Sequence, residues 1–171
     1  MVDYWGSQGA AVLNECVPKA LALLAHKERP EVVHQCGEGA LEQTRARYTA
    51  LGVEAEVVAF VEDMASAYAQ CDWMLARSGA LTVAEVATVG VAAVFVPFAL
   101  AVDDHQTANA QTLVDSGAAE CVAQAELVPE RLAELIRAHN DRGRCLQRAK
   151  LARKHSQAGA LERMLESLEG V

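Results

Sequence analysis

The stretch Trp73-Met74-Leu75-Ala76-Arg77-Ser78-Gly79-Ala80-Leu81-Thr82-Val83-Ala84-Glu85 decides how the chain is read. Four residues that suit a buried strand run into a turn of small residues, and a helical pattern continues through Val89. Strand, tight turn and helix in that order are half of a β-α-β unit, and the same alternation extends in both directions. Strands are predicted at 2–5, 31–34, 56–60, 73–76, 93–96 and 119–122, with helices between them at 11–24, 41–51, 64–69, 81–89 and 106–116. After the last strand the pattern is purely helical. Leu132, Leu135 and Ile136 share one face of a helix at 129–139, and two charged amphipathic stretches come after it. Gly52, Gly90 and Gly117 mark helix ends, and Pro30, Pro97 and Pro129 mark junctions. Right-handed crossovers turn this order into an α/β fold: a Rossmann-like doubly wound parallel sheet of about six strands with a C-terminal helical cap. Ligands of such sheets sit outside the carboxyl ends of the strands, where the strand order reverses. The loops after the strands are therefore the candidate site.

Composition bounds the rest. With 171 residues, 52% hydrophobic and 22% charged, the chain reads as one globular domain able to bury a core without disulfides or metals. Fifteen Lys and Arg face 23 Asp and Glu, a net charge of −8, and the basic residues are scattered, which points away from nucleic acid as a partner. An anionic ligand would have to be met by backbone N–H groups and helix N-termini. Cys16, Cys36, Cys71, Cys121 and Cys145 are odd in number, widely spaced and without zinc-ligand pairing, which fits a reducing cytoplasmic compartment. No export signal is read at the start of the sequence. The apolar run 86–102 is shorter than the ~20 residues that span a bilayer and contains Gly90 and Pro97, so it reads as a helix end and then a buried strand.

Four loops could carry chemistry. Gly6-Ser7-Gln8-Gly9-Ala10 joins the first strand to its helix and is neither G-x-G-x-x-G nor a P-loop. His34-Gln35-Cys36-Gly37 lacks the acid that holds an NAD ribose, which argues against a dehydrogenase. In Arg77 to Glu85 two readings stand: Thr82-x-x-Glu85 closes the helix start as a capping box, or Glu85 accepts two ribose hydroxyls while Ala80 to Thr82 offer amides to a phosphate. In Asp103-Asp104-His105-Gln106 adjacent side chains diverge, so no metal site is expected; His105 and Gln106 suit sugar hydroxyls. Phe60, closing the third strand, either joins the core or covers a flat base, with the Val61 backbone at the base edge. No nucleophile with a catalytic partner is present. His34 is read as structural, and His26, His139 and His155 as solvated.

Taken in order, Gly-Ser-Gln-Gly-Ala at 6–10, the segment 60–64, Arg-Ser-Gly-Ala-Leu-Thr-x-x-Glu at 77–85 and Asp-Asp-His-Gln-Thr-x-Asn-Ala at 103–110 closely resemble one bacterial family. It is the family 28 glycosyltransferases that convert lipid I to lipid II in peptidoglycan synthesis, and the likeness is to their C-terminal lobe over nearly the whole chain. One departure is Trp5, where the family usually has a second glycine.

The resemblance implies a GT-B enzyme whose C-terminal lobe binds UDP-N-acetylglucosamine. Residues 1–171 would be that single lobe, with the N-terminal acceptor lobe outside it. Carried over by position, Phe60 covers the uracil, Val61 touches its edge and Glu85 holds the ribose. Ala80, Leu81 and Thr82 face the diphosphate opposite Gly6, Ser7 and Gln8, Arg77 and Ser78 belong to the same donor-binding set, and His105 and Gln106 meet the GlcNAc hydroxyls. The resemblance further implies an inverting transfer with no metal or other cofactor on this lobe. The general base would lie on the acceptor lobe, which would also make the peripheral contact with the cytoplasmic face of the inner membrane. The isolated lobe is then expected to bind donor without turnover. Alternatives are a non-catalytic nucleotide-binding or assembly module derived from this lobe, and a UDP-GlcNAc epimerase sharing its architecture.

Overall fold

The computed structural model describes residues 2–4, 11–98 and 105–156. Among these residues six short parallel strands form one sheet: β1 (Val2–Tyr4), β2 (Val33–Gln35), β3 (Glu56–Val58), β4 (Trp73–Ala76), β5 (Ala92–Phe95) and β6 (Ala119–Cys121). They are ordered β3-β2-β1-β4-β5-β6. Register runs from Val2 opposite both Val33 and Met74 to Ala76 opposite Phe95. The order reverses between β1 and β4, so the crevice expected of a doubly wound sheet opens at their carboxyl ends.

Among the described residues seven α-helices cover the two faces: α1 (Ala11–Ala22), α2 (Leu41–Ala50), α3 (Met64–Ala69), α4 (Ala80–Val89), α5 (His105–Asp115), α6 (Pro129–His139) and α7 (Arg142–Lys154). Every residue of β4 and β5 is buried, as expected of parallel strands covered on both sides. Their side chains alternate between two cores. Trp73, Leu75, Ala92 and Val94 pack with Leu13, Val17 and Leu21 of α1 and Leu132 and Ile136 of α6. Met74, Ala76, Ala93 and Phe95 pack with Tyr68, Val86, Ala110, Leu113 and Ala152 on the other face.

The strands predicted at 31–34 and 93–96 are displaced by one or two residues because pairing, not local preference, sets their ends. Val33 is the residue registered against both Val2 and Glu56. Position 5 of the first predicted strand, and the second charged stretch after 139, lie outside the described residues.

Gly90 ends α4 in the left-handed conformation (φ 75°), its N–H bonded to the Val86 carbonyl at 2.9 Å. A Cβ at Gly90 would stand 3.0 Å from the Ala149 carbonyl oxygen and 3.2 Å from Arg153 Cβ, both on α7. Gly90→Ala is therefore expected to destabilise by roughly 2 kcal/mol, combining the left-handed penalty with the crowding. Urea denaturation checks this; a change of less than a few tenths would mean that α7 gives way freely.

Candidate functional site

The candidate site is built by the segments directly after β3, β4 and β5, at one edge of the sheet. At β4 the chain turns through Arg77, Ser78 and Gly79 into α4. Gly79 is the N-cap residue and has no side-chain cap, and its carbonyl accepts the first helical bond, from the Val83 N–H at 3.0 Å. The amides of Ala80, Leu81 and Thr82 precede that bond and have no partner within the helix. No acidic residue lies in this first turn, Leu81 is 81% exposed, and a Cβ at Gly79 would meet only Thr82 Oγ1 at 3.9 Å. The start of α4 is thus open, uncapped and electropositive, as an anion requires.

This geometry removes the capping-box reading of Thr82 and Glu85. With Gly79 as the N-cap, Thr82 is the third helical residue and Glu85 lies in the second turn, so no capping box forms. Glu85 is exposed, and its Oε2 accepts a hydrogen bond from the Tyr68 hydroxyl at 2.9 Å. Sequence reading did not single out Tyr68. A tyrosine, rather than another aliphatic residue, inside a helix of small residues was the available signal.

Phe60 is 63% exposed beyond the end of β3, which rules out the core reading. The Val61 N–H donates to Gln35 Oε1 at 2.8 Å, which leaves the Val61 carbonyl as the group able to meet a base edge. Gln35, read in the sequence only for the acid it is not, sets this loop from the end of β2. Asp63 then caps α3, accepting from the Ser66 N–H at 3.0 Å and the Ser66 hydroxyl at 2.6 Å, and these bonds hold its carboxyl below the ordinary carboxylate range.

Arg77 and Ser78, included in the donor-binding set by the resemblance, are buried, at 6% and 0% exposure, and build the turn from within. Arg77 donates from one terminal nitrogen to the Val96 and Pro97 carbonyls, each at 3.0 Å, and from the other to Gln124 Oε1 at 2.7 Å. Its Cζ lies 5.4 Å from the centre of the Phe98 ring. Asn109 Nδ2 donates to the Ser78 carbonyl at 3.0 Å, and the Phe98 N–H donates to Gln106 Oε1 at 2.9 Å. These bonds hold the start of α5 beside the start of α4. Gln106 is the second residue of α5, and His105 is exposed at its first position. Trp5, Gly6, Ser7, Gln8, Asp103 and Asp104 lie outside the described residues.

Of the histidines, His34 is structural: it is fully buried between the Tyr48 hydroxyl and Asn14 Oδ1, each at 2.9 Å. His139 corrects the solvated reading. It is 3% exposed, its Nδ1–H donates to the Leu135 carbonyl at 2.9 Å, Arg148 donates to its Nε2 at 2.7 Å, and its ring lies 4.7 Å from that of Trp73. It falls on the stripe of Leu132, Leu135 and Ile136, three to seven residues on, which was the signal for burial.

A parallel sheet in this order, with an open helix start at its switch point, is a Rossmann-like lobe, and comparison with solved structures shows it to be of the GT-B glycosyltransferase type. Solved glycosyltransferases of low identity share the fold, among them VinC in complex with dTDP, at TM-score 0.66 and 20% identity over 99% of this chain and 42% of that one. The chain belongs to glycosyltransferase family 28: the profile of the family's C-terminal domain matches residues 5–164. A UDP-N-acetylglucosamine–N-acetylmuramyl-(pentapeptide) pyrophosphoryl-undecaprenol N-acetylglucosamine transferase of Dichelobacter nodosus is 49% identical over 164 residues, 96% of this chain and 45% of that protein. The transferase of the same name from Burkholderia orbicola is 57% identical over 136 residues, 77% of this chain and 37% of that protein. The crystal structure of Acinetobacter baumannii MurG superposes with a TM-score of 0.88 at 43% identity, covering 99% of this chain and 51% of that one. The chain therefore spans about half the length of the relatives it matches.

Proposed function

We propose that this chain is the donor-binding lobe of a transferase that moves N-acetylglucosamine from UDP to the lipid-linked muramoyl acceptor, lipid I, at the cytoplasmic face of the membrane. The observation that carries this is the uncapped start of α4 with Glu85 one turn further on, together with exposed Phe60, which follows β3 at the same carboxyl end of the sheet. Phe60 covers the uracil, the Val61 carbonyl accepts from the base edge, Glu85 accepts the ribose hydroxyls, and the amides of Ala80, Leu81 and Thr82 meet the diphosphate. Gly6, Ser7 and Gln8 belong to the same diphosphate-binding set by the resemblance. Gln106 and His105 meet the sugar, while Arg77 and Ser78 act from beneath. The names of the relatives supply the choice of sugar and acceptor.

In the transfer the acceptor 4-hydroxyl attacks the anomeric carbon from the face opposite UDP, which inverts that centre, and the bond to the diphosphate breaks. This lobe's task is the charge that builds on the leaving diphosphate. A helix N-terminus meets it with backbone dipoles rather than a metal, contributing roughly 0.3–1 kcal/mol when exposed and up to about 2 when partly buried. Two such termini fall short of the ~8 kcal/mol or more that enzymes supply. Positioning and a general base on the acceptor lobe provide the remainder, so the chain alone binds donor without turnover. Membrane contact belongs to that other lobe as well; among the described residues no helix is long and apolar enough to cross a membrane.

Calorimetric titration of the chain with UDP-N-acetylglucosamine, with and without magnesium and with NADH as control, tests the reading. Saturable binding of the UDP-sugar alone, unchanged by magnesium, is expected. A folded chain that binds nothing would leave a non-catalytic module derived from this lobe as the better description. Glu85→Ala is expected to weaken UDP binding by about 1–3 kcal/mol without loss of helix stability, the cost of removing the charged partner of a hydrogen bond.

A further inference from the structure

Glu85 stands on the exposed side of α4, where a glutamate has three free torsions and no reason to keep one orientation. Here it has one. The Tyr68 hydroxyl donates to Oε2 at 2.9 Å, and Tyr68 itself is 6% exposed, its ring packed in the core with Met74, Ala76 and Val86. The hydroxyl is thus a rigid donor rising from the core to the surface. Its helix, α3, is fixed in turn by the Asp63 cap and comes directly after the Phe60–Val61 loop.

We infer that Tyr68 is a positioning residue that holds the Glu85 carboxylate ready to accept the hydroxyl pair of a ribose. The inference rests on the reading of Glu85 as the ribose contact and adds to it the group that makes the contact selective. One carboxylate oxygen is satisfied from behind by tyrosine, which turns the remaining acceptor positions outward in a set direction. A carboxylate held this way can accept from two adjacent hydroxyls at once, whereas a mobile one would lose rotamer freedom on binding each ligand. The bond also ties α3, which carries the base loop, to α4, which carries the phosphate amides. Base, ribose and phosphate contacts are then held in one spacing.

The test compares UDP with 2′-deoxy-UDP by calorimetry on the full chain and on its Tyr68→Phe, Glu85→Ala and doubly substituted forms. Tyr68→Phe leaves the ring in the core and removes only the hydroxyl, and thermal unfolding of each form is recorded alongside. The expected result is a preference for UDP that falls about three- to tenfold in Tyr68→Phe, the net worth of one hydrogen bond, through loss of UDP rather than of 2′-deoxy-UDP affinity. Adding Tyr68→Phe to Glu85→Ala should then change nothing further, because the tyrosine acts only through the carboxylate. If Glu85→Ala loses the preference while Tyr68→Phe keeps it, the tyrosine assignment is wrong and the ribose reading stands. If Glu85→Ala keeps it, both fall. An equal loss for the two nucleotides that persists without Glu85 would show Tyr68 to be a packing residue and overturn its assignment.

Discussion

Arg77→Met should lower the unfolding free energy by about 3–5 kcal/mol and weaken UDP-N-acetylglucosamine binding more than UDP binding. The methionine keeps most of the aliphatic stem but none of the donors. The Val96 and Pro97 carbonyls and Gln124 Oε1 would each lose a bond now 2.7–3.0 Å long. A buried acceptor left unpaired costs roughly 1–3 kcal/mol, and some of the three will find partners as the loop relaxes, which sets the range. Burial pulls the Arg77 pKa down, but a guanidinium starts so high that it stays charged at neutral pH. Lysine at this position carries the charge without the fork, so Arg77→Lys should recover only part of the loss.

The binding effect arises from where those carbonyls lie. Val96 and Pro97 lead to Phe98, whose N–H holds Gln106 and whose ring lies over the guanidinium. Without Arg77 the start of α5 loses its register with α4, and the proposed sugar contacts at His105 and Gln106 suffer before the nucleotide contacts on α3 and α4. Urea denaturation and paired titrations with UDP and the UDP-sugar give both readouts. A variant with normal stability would show that the carbonyls are readily resatisfied, and equal losses for the two ligands would detach Arg77 from α5.

Legibility in the sequence ran along physical lines. The bounds of β4, α3 and α6 agree with the sequence pattern because each has local punctuation: a buried run before small residues, Asp63 at a cap, Pro129 at a first turn. The start of α4 did not yield to a local rule. Thr82-x-x-Glu85 has the spacing of a box, yet the chain enters the helix three residues earlier, at Gly79, because the turn after β4 must feed α4 back across the sheet. The buried role of Arg77 was equally hidden, since its acceptors lie 19, 20 and 47 residues away and belong to other strand ends. Gln35 is the same case, reaching the Val61 amide across 26 residues. Phe60, Leu81 and Glu85, all exposed, entered the candidate site through the family resemblance, because by type alone Phe60 also reads as core and Glu85 as part of a helix cap. Those that hold them in place are ordinary polar residues whose partners only the fold brings near.

Acid should destabilise this chain well before its carboxylates titrate. His34 joins α1, β2 and α2: its Nε2 donates to Asn14 Oδ1 and its Nδ1 accepts from the Tyr48 hydroxyl, while Asn14 Nδ2 donates to the Cys36 carbonyl at 3.1 Å. A neutral ring satisfies that set completely. Burial accordingly takes the His34 pKa from 6.5 down to about 4. The unfolded chain takes up a proton near pH 6.5 and the folded chain does not until about pH 4, so between these values the unfolded state binds more protons and stability falls as pH falls. At about 1.4 kcal/mol per pH unit, the loss comes to roughly 3 kcal/mol, a large part of the 5–15 kcal/mol typical of a domain. His139 acts in the same direction: burial foremost and the Arg148 charge lower its pKa, against the Leu135 carbonyl and Glu120, which raise it. Asp63, held low by Ser66, contributes stability that is present above its unfolded value of 3.8 and is lost only below it, so measurements that stop at pH 4.5 isolate the histidines. Urea denaturation at steps from pH 7.5 to 4.5 should therefore show a steady decline. His34→Gln, with a side chain that does not titrate, should flatten most of it even though the variant starts less stable. An unchanged slope in that variant would assign the acid sensitivity to His139, at the opposite end of the sheet from the proposed nucleotide site, and leave the His34 network without a part in it.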